Sequence, residues 1–209
     1  MPNIFLTGDT HWSHRHIIQY SNRPFATIKE MDEQLITNWN AIIKPGDLVY
    51  HIGDIFLCRP EKAEKIMDQL NGCVYLISGN HEKTAWAIKN RFGWIKDYYR
   101  LKVPDPDANK GVQEVILFHY AMRVWDKCHY GSFAAYGHSH SSLSEDPNAR
   151  SCDVGVDAVA HRLAGNPQGS VIEGNPTKPE DYRPISYDEF KGWMLKKLWK
   201  PIDHHGKEE

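Results

Sequence analysis

Five times within its first 140 residues this chain sets Asp, Asn or His behind a short run of apolar or small residues. The blocks are Asp9-Thr10-His11, Gly53-Asp54, Gly79-Asn80-His81-Glu82, His119 and Gly137-His138-Ser139-His140. The runs before them are Asn3 to Leu6, Asp47 to Ile52, Cys73 to Ile77, Val112 to Phe118 and Ala134 to Tyr136. Each run has the length and content of a buried strand, and each ends in a polar loop. Between the first three lie helical patterns. Ile28 to Ile43 carries Met31, Leu35, Ile36, Trp39, Ile42 and Ile43 at helical spacing and stops at Lys44-Pro45-Gly46. Pro60 to Leu70 has proline in its first turn and ends at Asn71-Gly72. Strand, helix and strand in alternation predict parallel strands with covering helices. In such sheets, sites form beyond the carboxyl ends of the strands, where the polar blocks fall.

The second half reads differently. Trp94 to Val103 and Val112 to Phe118 predict two strands joined by the turn-rich Pro104 to Gly111, and Cys152 to Val156 predicts another. Ala160 to Arg183 is rich in Pro, Gly and Asn and reads as a long surface loop. Ser186 to Lys200 predicts an amphipathic helix with Phe190, Met194, Leu195 and Leu198 inward. We expect one domain over residues 1–209, with a loop insertion at 158–183.

Among 209 residues, twelve are histidine, the commonest metal ligand. The net charge of −2 excludes a global pull toward nucleic acid or anionic membrane. One local exception holds Lys83, Lys89, Arg91, Lys96, Arg100 and Lys102 against Asp97 alone, either a solvated face or a short basic track. The four cysteines form no Cys-x-x-Cys pair, which excludes a zinc ribbon. No basic and apolar leader opens the sequence and no apolar run reaches a membrane span, so the expectation is a cytoplasmic protein with reduced thiols and no membrane partner.

Carboxylate, amide oxygen and imidazole together suit borderline divalent ions such as Mn²⁺, Fe²⁺, Co²⁺, Ni²⁺ and Zn²⁺. A pair of ions about 3.5–4 Å apart needs a bridge, which a carboxylate provides. In Gly137-His138-Ser139-His140 the i, i+2 spacing on an extended segment turns both rings to one side. No motif offers an activated serine or cysteine.

In order and type, the five blocks resemble the calcineurin-like metallophosphoesterase superfamily, and the matched region spans roughly residues 3 to 157. Asp9 to Phe25 and His119 to His140 further resemble a small bacterial and phage phosphoesterase branch of it. The resemblance implies an α/β fold: a two-sheet β-sandwich flanked by helices, in four αββα layers. It implies that Asp9, His11, Asp54 and His140 hold one divalent ion and that Asp54, Asn80, His119 and His138 hold another, with Asp54 as the catalytic bridge. It makes His81 the proton donor to the leaving oxygen, with a metal-bound hydroxide as nucleophile. Two ions per chain are expected, Mn²⁺ foremost and Fe, Zn, Ni or Co as alternatives. Glu82 either orients the His81 ring or caps the next helix. His14, Arg15 and His16 line the pocket or a surface loop. Arg15, Arg23 and Arg123 are candidates for holding a substrate phosphate, a structural salt bridge being the other reading of Arg23 and Arg123. Asp153 and Asp157 are candidate acceptors for the ligand histidines. His51 reads as structural, and Trp12 and Trp125 read as core, with pocket wall or base platform as the alternatives. The stretch from Ala158 to Glu180 is where the chain departs from simpler members. The expected activity is hydrolysis of a phosphodiester or phosphomonoester in a nucleotide or other small or short substrate. The alternatives are a nuclease acting on DNA or RNA ends and a non-catalytic scaffold.

Overall fold

A computed structural model describes residues 2–171 and 176–202. Nine strands form two sheets. The first contains β1 (Ile4–Thr7), β2 (Leu48–Ile52), β3 (Cys73–Ile77), β4 (Ile95–Lys96) and β9 (Ile185–Ser186), in the order β4-β3-β2-β1-β9. Its neighbours are parallel except β9, which runs antiparallel to β1. The second contains β5 (Tyr98–Pro104), β6 (Val112–Phe118), β7 (Phe133–Tyr136) and β8 (Ser151–Asp153), in that order, with only the β5–β6 pair antiparallel.

Alternation along the strands builds two cores. Leu6, Tyr50, Ile52 and Ile77 point between the sheets and meet Leu101, Val115, Leu117, Phe133 and Cys152. Phe5, Val49, Val74 and Leu76 point outward, under the helices α2 (Ile28–Ile42), α3 (Pro60–Met67) and α4 (Lys83–Ala87). A shorter helix, α1 (Ile17–Tyr20), follows the first polar block. Thr27 caps α2 by accepting from Glu30 N, a contact worth about 1 kcal/mol. The helix α6 (Tyr187–Leu195) begins with a reciprocal Ser186–Glu189 capping box and presses Phe190 and Met194 into the inter-sheet core.

Four sequence readings need correction. The strand expected over Trp94 to Val103 is two strands in different sheets: β4 pairs with β3 and β5 with β6, so the chain changes sheets at Asp97. The expected Cys152 to Val156 strand stops at Asp153, and Val156–Leu163 is the helix α5. Residues 158–163 are therefore helical rather than loop; Val156, Val159 and Ala160 recur at helical spacing and are buried. The last helix ends at Leu195, and Leu195 and Leu198 are 53% and 68% exposed rather than inward. No described helix is long and apolar enough to cross a membrane.

Candidate metal centre

Every block identified in the sequence lies just past the carboxyl end of a strand that has at least one parallel neighbour. Asp9 and His11 follow β1, Asp54 follows β2, Asn80 and His81 follow β3, His119 follows β6, and His138 and His140 follow β7. An isolated parallel bridge between Gly8 and Gly155 joins the ends of the two sheets. The loops therefore converge, although they come from both layers.

They converge into two groups. Asp9, His11 and His140 bring ligand atoms within 4.8 Å of one another, as do Asp54, His119 and His138. His11 Nε2 lies 3.2 Å from His140 Nε2. Asn80 Oδ1 lies 3.2 Å from His119 Nε2 and 3.0 Å from His138 Nδ1. Asp54 stands between the groups, with Oδ2 3.5 Å from His11 Nε2 and 3.7 Å from His119 Nε2.

The backbone is bent to achieve this. Asp9, His11, Asp54, His138 and His140 all have φ between 44° and 69°, the left-handed region. Asp and His enter that region more readily than most residues, but each such residue costs on the order of 1–3 kcal/mol. Close approach explains two glycines: a Cβ on Gly137 would stand 2.6 Å from Asp9 Oδ2, and one on Gly53 would overlap the His119 ring.

The imidazoles are oriented by what their other nitrogens do. His119 Nδ1 donates to the Ile52 carbonyl at 2.8 Å, which leaves Nε2 as a lone pair facing the Asn80 oxygen. His140 Nδ1 lies 2.7 Å from Asp157 Oδ2 and donates to it, and its Nε2 faces His11. Asp157, in the first turn of α5, is held by Arg23. That guanidinium reaches both Asp157 oxygens at 2.8 Å, the Asp9 and Thr10 carbonyls at 2.7 and 2.9 Å, and Met31 Sδ at 3.6 Å. These contacts use all five N–H groups an arginine has. Arg23 is 3% exposed and is a structural ion pair, which corrects its candidacy as a phosphate ligand.

Buried negative charge dominates the centre. Asp9, Asp54, Glu82, Asp153 and Asp157 are each at most 4% exposed, and the buried guanidinium of Arg23 pairs with Asp157. Burial raises Asp9 well above the ordinary carboxylate range, and Asp153 to about 7. Burial and then the Asp54 charge raise Glu82 to about 7. Burial would lower His140, but the Asp157 hydrogen bond and charge lift it to about 9. Burial keeps His11 neutral, at about 2. Asp9 Oδ1 is buried without a hydrogen-bond partner among the described residues. Converging lone pairs, an unpartnered carboxylate oxygen and excess buried anions are the environment a divalent cation satisfies. The residues fit the ions their chemistry implies.

The remaining candidates divide. His81 is exposed, with its ring 5.8 Å from that of His11 and its backbone N–H on Asp54 Oδ1 at 2.9 Å. His14 packs 5.3 Å from His11, while Arg15 and His16 are exposed in the same loop. Arg123 is exposed in a small cleft with Trp125, Asp146 and Trp199, outside the ligand cluster. Glu82 does not reach the His81 ring; its Oε1 accepts from the backbone N–H groups of Asp54 and Gly79 and ties the bridging loop to the third block. His51 is buried, contacts Thr10 Oγ1 at 3.0 Å and is held near 3 by burial. Trp12 is fully buried and stacks among Trp39, His51 and Phe56, so it is core. Trp125 is 8% exposed, packs with Ile116, Cys128 and Ala134 and donates its indole N–H to Ser132, so it too is core rather than base platform. Asp153 accepts from Gly155 N at 2.8 Å and touches no ligand histidine. Sequence reading missed the Arg23–Asp157 pair, whose partners lie 134 residues apart and share no motif. It also missed Glu145, which accepts from Arg162 and Lys197 beneath β8.

Comparison with known proteins bears on the fold and the family. A protein of Methanocaldococcus jannaschii described as uncharacterised is 30% identical over 169 residues, covering 78% of this chain and 86% of the relative. The gene 66 protein of Mycobacterium phage L5 is 25% identical over 183 residues, covering 76% and 88%. The crystal structure of a protein of unknown function from Aquifex aeolicus superposes with a TM-score of 0.61 at 21% identity, over 92% of this chain and 99% of that one, a likeness of fold. The calcineurin-like phosphoesterase profile matches residues 2–161, which holds all five blocks and both ligand groups, and the chain belongs to that family.

Proposed function

We propose that this chain hydrolyses a phosphoester bond at a pair of divalent ions, with no covalent phosphoenzyme. One observation carries the reading: a single oxygen of Asp54 faces His11 on one side and His119 on the other, at 3.5 and 3.7 Å. A carboxylate so placed serves both ligand groups at once. When bound, the two ions supply an activated water and neutralise charge on the phosphoryl oxygens. Asp9, His11, Asp54 and His140 hold the first, and Asp54, Asn80, His119 and His138 the second. Asp157 and the Ile52 carbonyl hold the Nδ1 protons of His140 and His119, so each Nε2 stays free to ligate. His81, exposed beside His11 and anchored through its backbone, gives a proton to the leaving oxygen. The nitrogen and oxygen donor set suits Mn²⁺, and we read a cytoplasmic enzyme acting on a nucleotide or other short phosphoester.

The test is elemental analysis of protein purified without chelator and after Mn²⁺ reconstitution, followed by turnover of bis-(p-nitrophenyl) phosphate and p-nitrophenyl phosphate. We expect two ions and metal-dependent hydrolysis, with ¹⁸O from labelled water entering the phosphate product in a single turnover. Saturation near one ion sinks the paired site. Two ions with no hydrolysis of either ester favours the scaffold reading.

A further inference from the structure

We propose that the outward face of residues 83–89, α4 and the turn that follows it, binds the leaving-group strand of a short single-stranded oligonucleotide, an assignment that rests on the hydrolytic reading above. The fold dismantles the basic run of the sequence. Arg91 pairs with Asp68 and Arg100 with Asp126. The Lys96 ammonium lies 4.8 and 4.5 Å over the rings of Trp94 and Tyr99. Lys102 stands near the far end of β5, beside Val112 and Lys127. Lys83 and Lys89 remain, exposed and without an ion pair among the described residues.

Between these two lysines Trp86 is 48% exposed. Ala85 and Ile88 meet the packing needs of this segment, and Thr84 Oγ1 is bonded to the Cys58 carbonyl. Lys83, Trp86 and Lys89 recur every three residues on the side facing away from these contacts. A half-exposed indole thus lies along the chain between two lysines without ion pairs among the described residues. It is the pairing that binds single strands: a π-face for a base and ammonium groups for the flanking phosphates.

Position ties this face to the reaction. The segment starts two residues after His81. The oxygen that His81 protonates belongs to the leaving group, so the chain attached to that oxygen departs past His81 toward α4. Lys83 and Trp86 lie on α4 and Lys89 opens the 3-10 turn after it, a stretch with the reach of one or two nucleotides.

The test compares hexathymidylate with bis-(p-nitrophenyl) phosphate on Mn²⁺-loaded protein, and measures fluorescence anisotropy of labelled hexathymidylate at two salt concentrations. Stacking on one ring is worth about 5- to 100-fold in binding. We expect Trp86→Ala to lower the ratio of kcat/KM on hexathymidylate to that on the small diester by about 10-fold. Trp86→Phe should restore most of it. The pair Lys83→Gln and Lys89→Gln should weaken binding and flatten its salt dependence. An unchanged ratio in Trp86→Ala overturns the proposal. So does wild-type protein that cleaves the small diester but neither cuts nor binds the oligonucleotide, an outcome that leaves the hydrolytic reading intact. If neither ester is cleaved, the hydrolytic reading fails, and anisotropy of the same variants still decides whether this face binds the strand.

Discussion

The two ligand groups share Asp54 yet are held in different ways. Around the first, Asp9 and His11 are buried, and His140 is bonded to Asp157, which Arg23 fixes to the carbonyls of Asp9 and Thr10. The loop, the ligand and α5 are one braced unit. Around the second, His119 is buried and oriented by Ile52, but Asn80 and His138 are exposed; their side chains meet each other and His119, the His138 ring packs on Tyr120, and the His138 N–H donates to Asp9 Oδ2. Protein contacts fix more of the first group's geometry than of the second's. Organisation in advance lowers the cost of binding, so the first position should fill at lower metal concentration and exchange more slowly.

The largest effect tests what the groups share. Asp54→Ala should lose both ions by elemental analysis and reduce diester hydrolysis by more than the roughly 10²–10³-fold cost of removing one electrostatic donor. Retention of one ion would show that the groups are independent and that the bridge is not shared.

His81 comes next, because it belongs to neither group. His81→Ala should keep both ions and lose on the order of 10²–10⁴ in rate on an ester with an alkoxide leaving group. On p-nitrophenyl esters the loss should be far smaller, since that group departs without a proton. His119→Ala should instead lose metal and fail on both. Equal defects of His81→Ala on both esters would make it a phosphate or metal ligand.

The brace is the sharpest test of the comparison itself. Asp157→Asn or Arg23→Lys should weaken the first ion by about 10–100-fold, the usual effect of altering a ligand's hydrogen-bond partner, and leave the second nearly unchanged. Titration calorimetry with Mn²⁺ resolves the two steps. Equal weakening of both would mean that the brace organises the whole centre.

A remote control should give the smallest effect. Asp105 accepts from Tyr187 Oη and Lys191 Nζ, each at 2.7 Å, at the far end of β5. Burial would raise its carboxyl, but Lys191 and Tyr187 hold it below its ordinary value of 3.8. Its folded value is depressed, so its contribution to stability is complete above that pH and lost as pH falls below it. Asp105→Asn should cost about 1–3 kcal/mol at pH 7 in denaturant unfolding, with metal content unchanged. The gap from wild type should narrow below pH 4.

Sequence patterns revealed the ligands because their information is local: each sits directly behind a run that can only be strand. The same patterns could not show that β4 and β5 part at Asp97, because both halves are equally apolar and the choice of sheet is made by distant partners. They also misread Val156 to Leu163, where a helix of eight residues merges into loop composition on its C-terminal side. The brace was least visible. Arg23 offers no periodicity and no motif with Asp157, and only the meeting of β1's loop with α5 reveals that its donors are committed. Glu82 was visible as a neighbour of His81, but its direction was not; backbone geometry turns it inward, to the amides of Asp54 and Gly79.

The left-handed backbone of five ligands narrows the alphabet available to this centre. Coordination chemistry alone would accept glutamate for aspartate or cysteine for histidine. The loops add a second criterion, because Asp, Asn and His tolerate that conformation better than most other side chains. A redesign such as Asp54→Glu or His138→Cys supplies a ligating atom but incurs a conformational penalty of about 1 kcal/mol or more at a residue with φ of 55° or 69°. Retuning these loops for a softer metal therefore requires rebuilding their main chain, not only exchanging their donors.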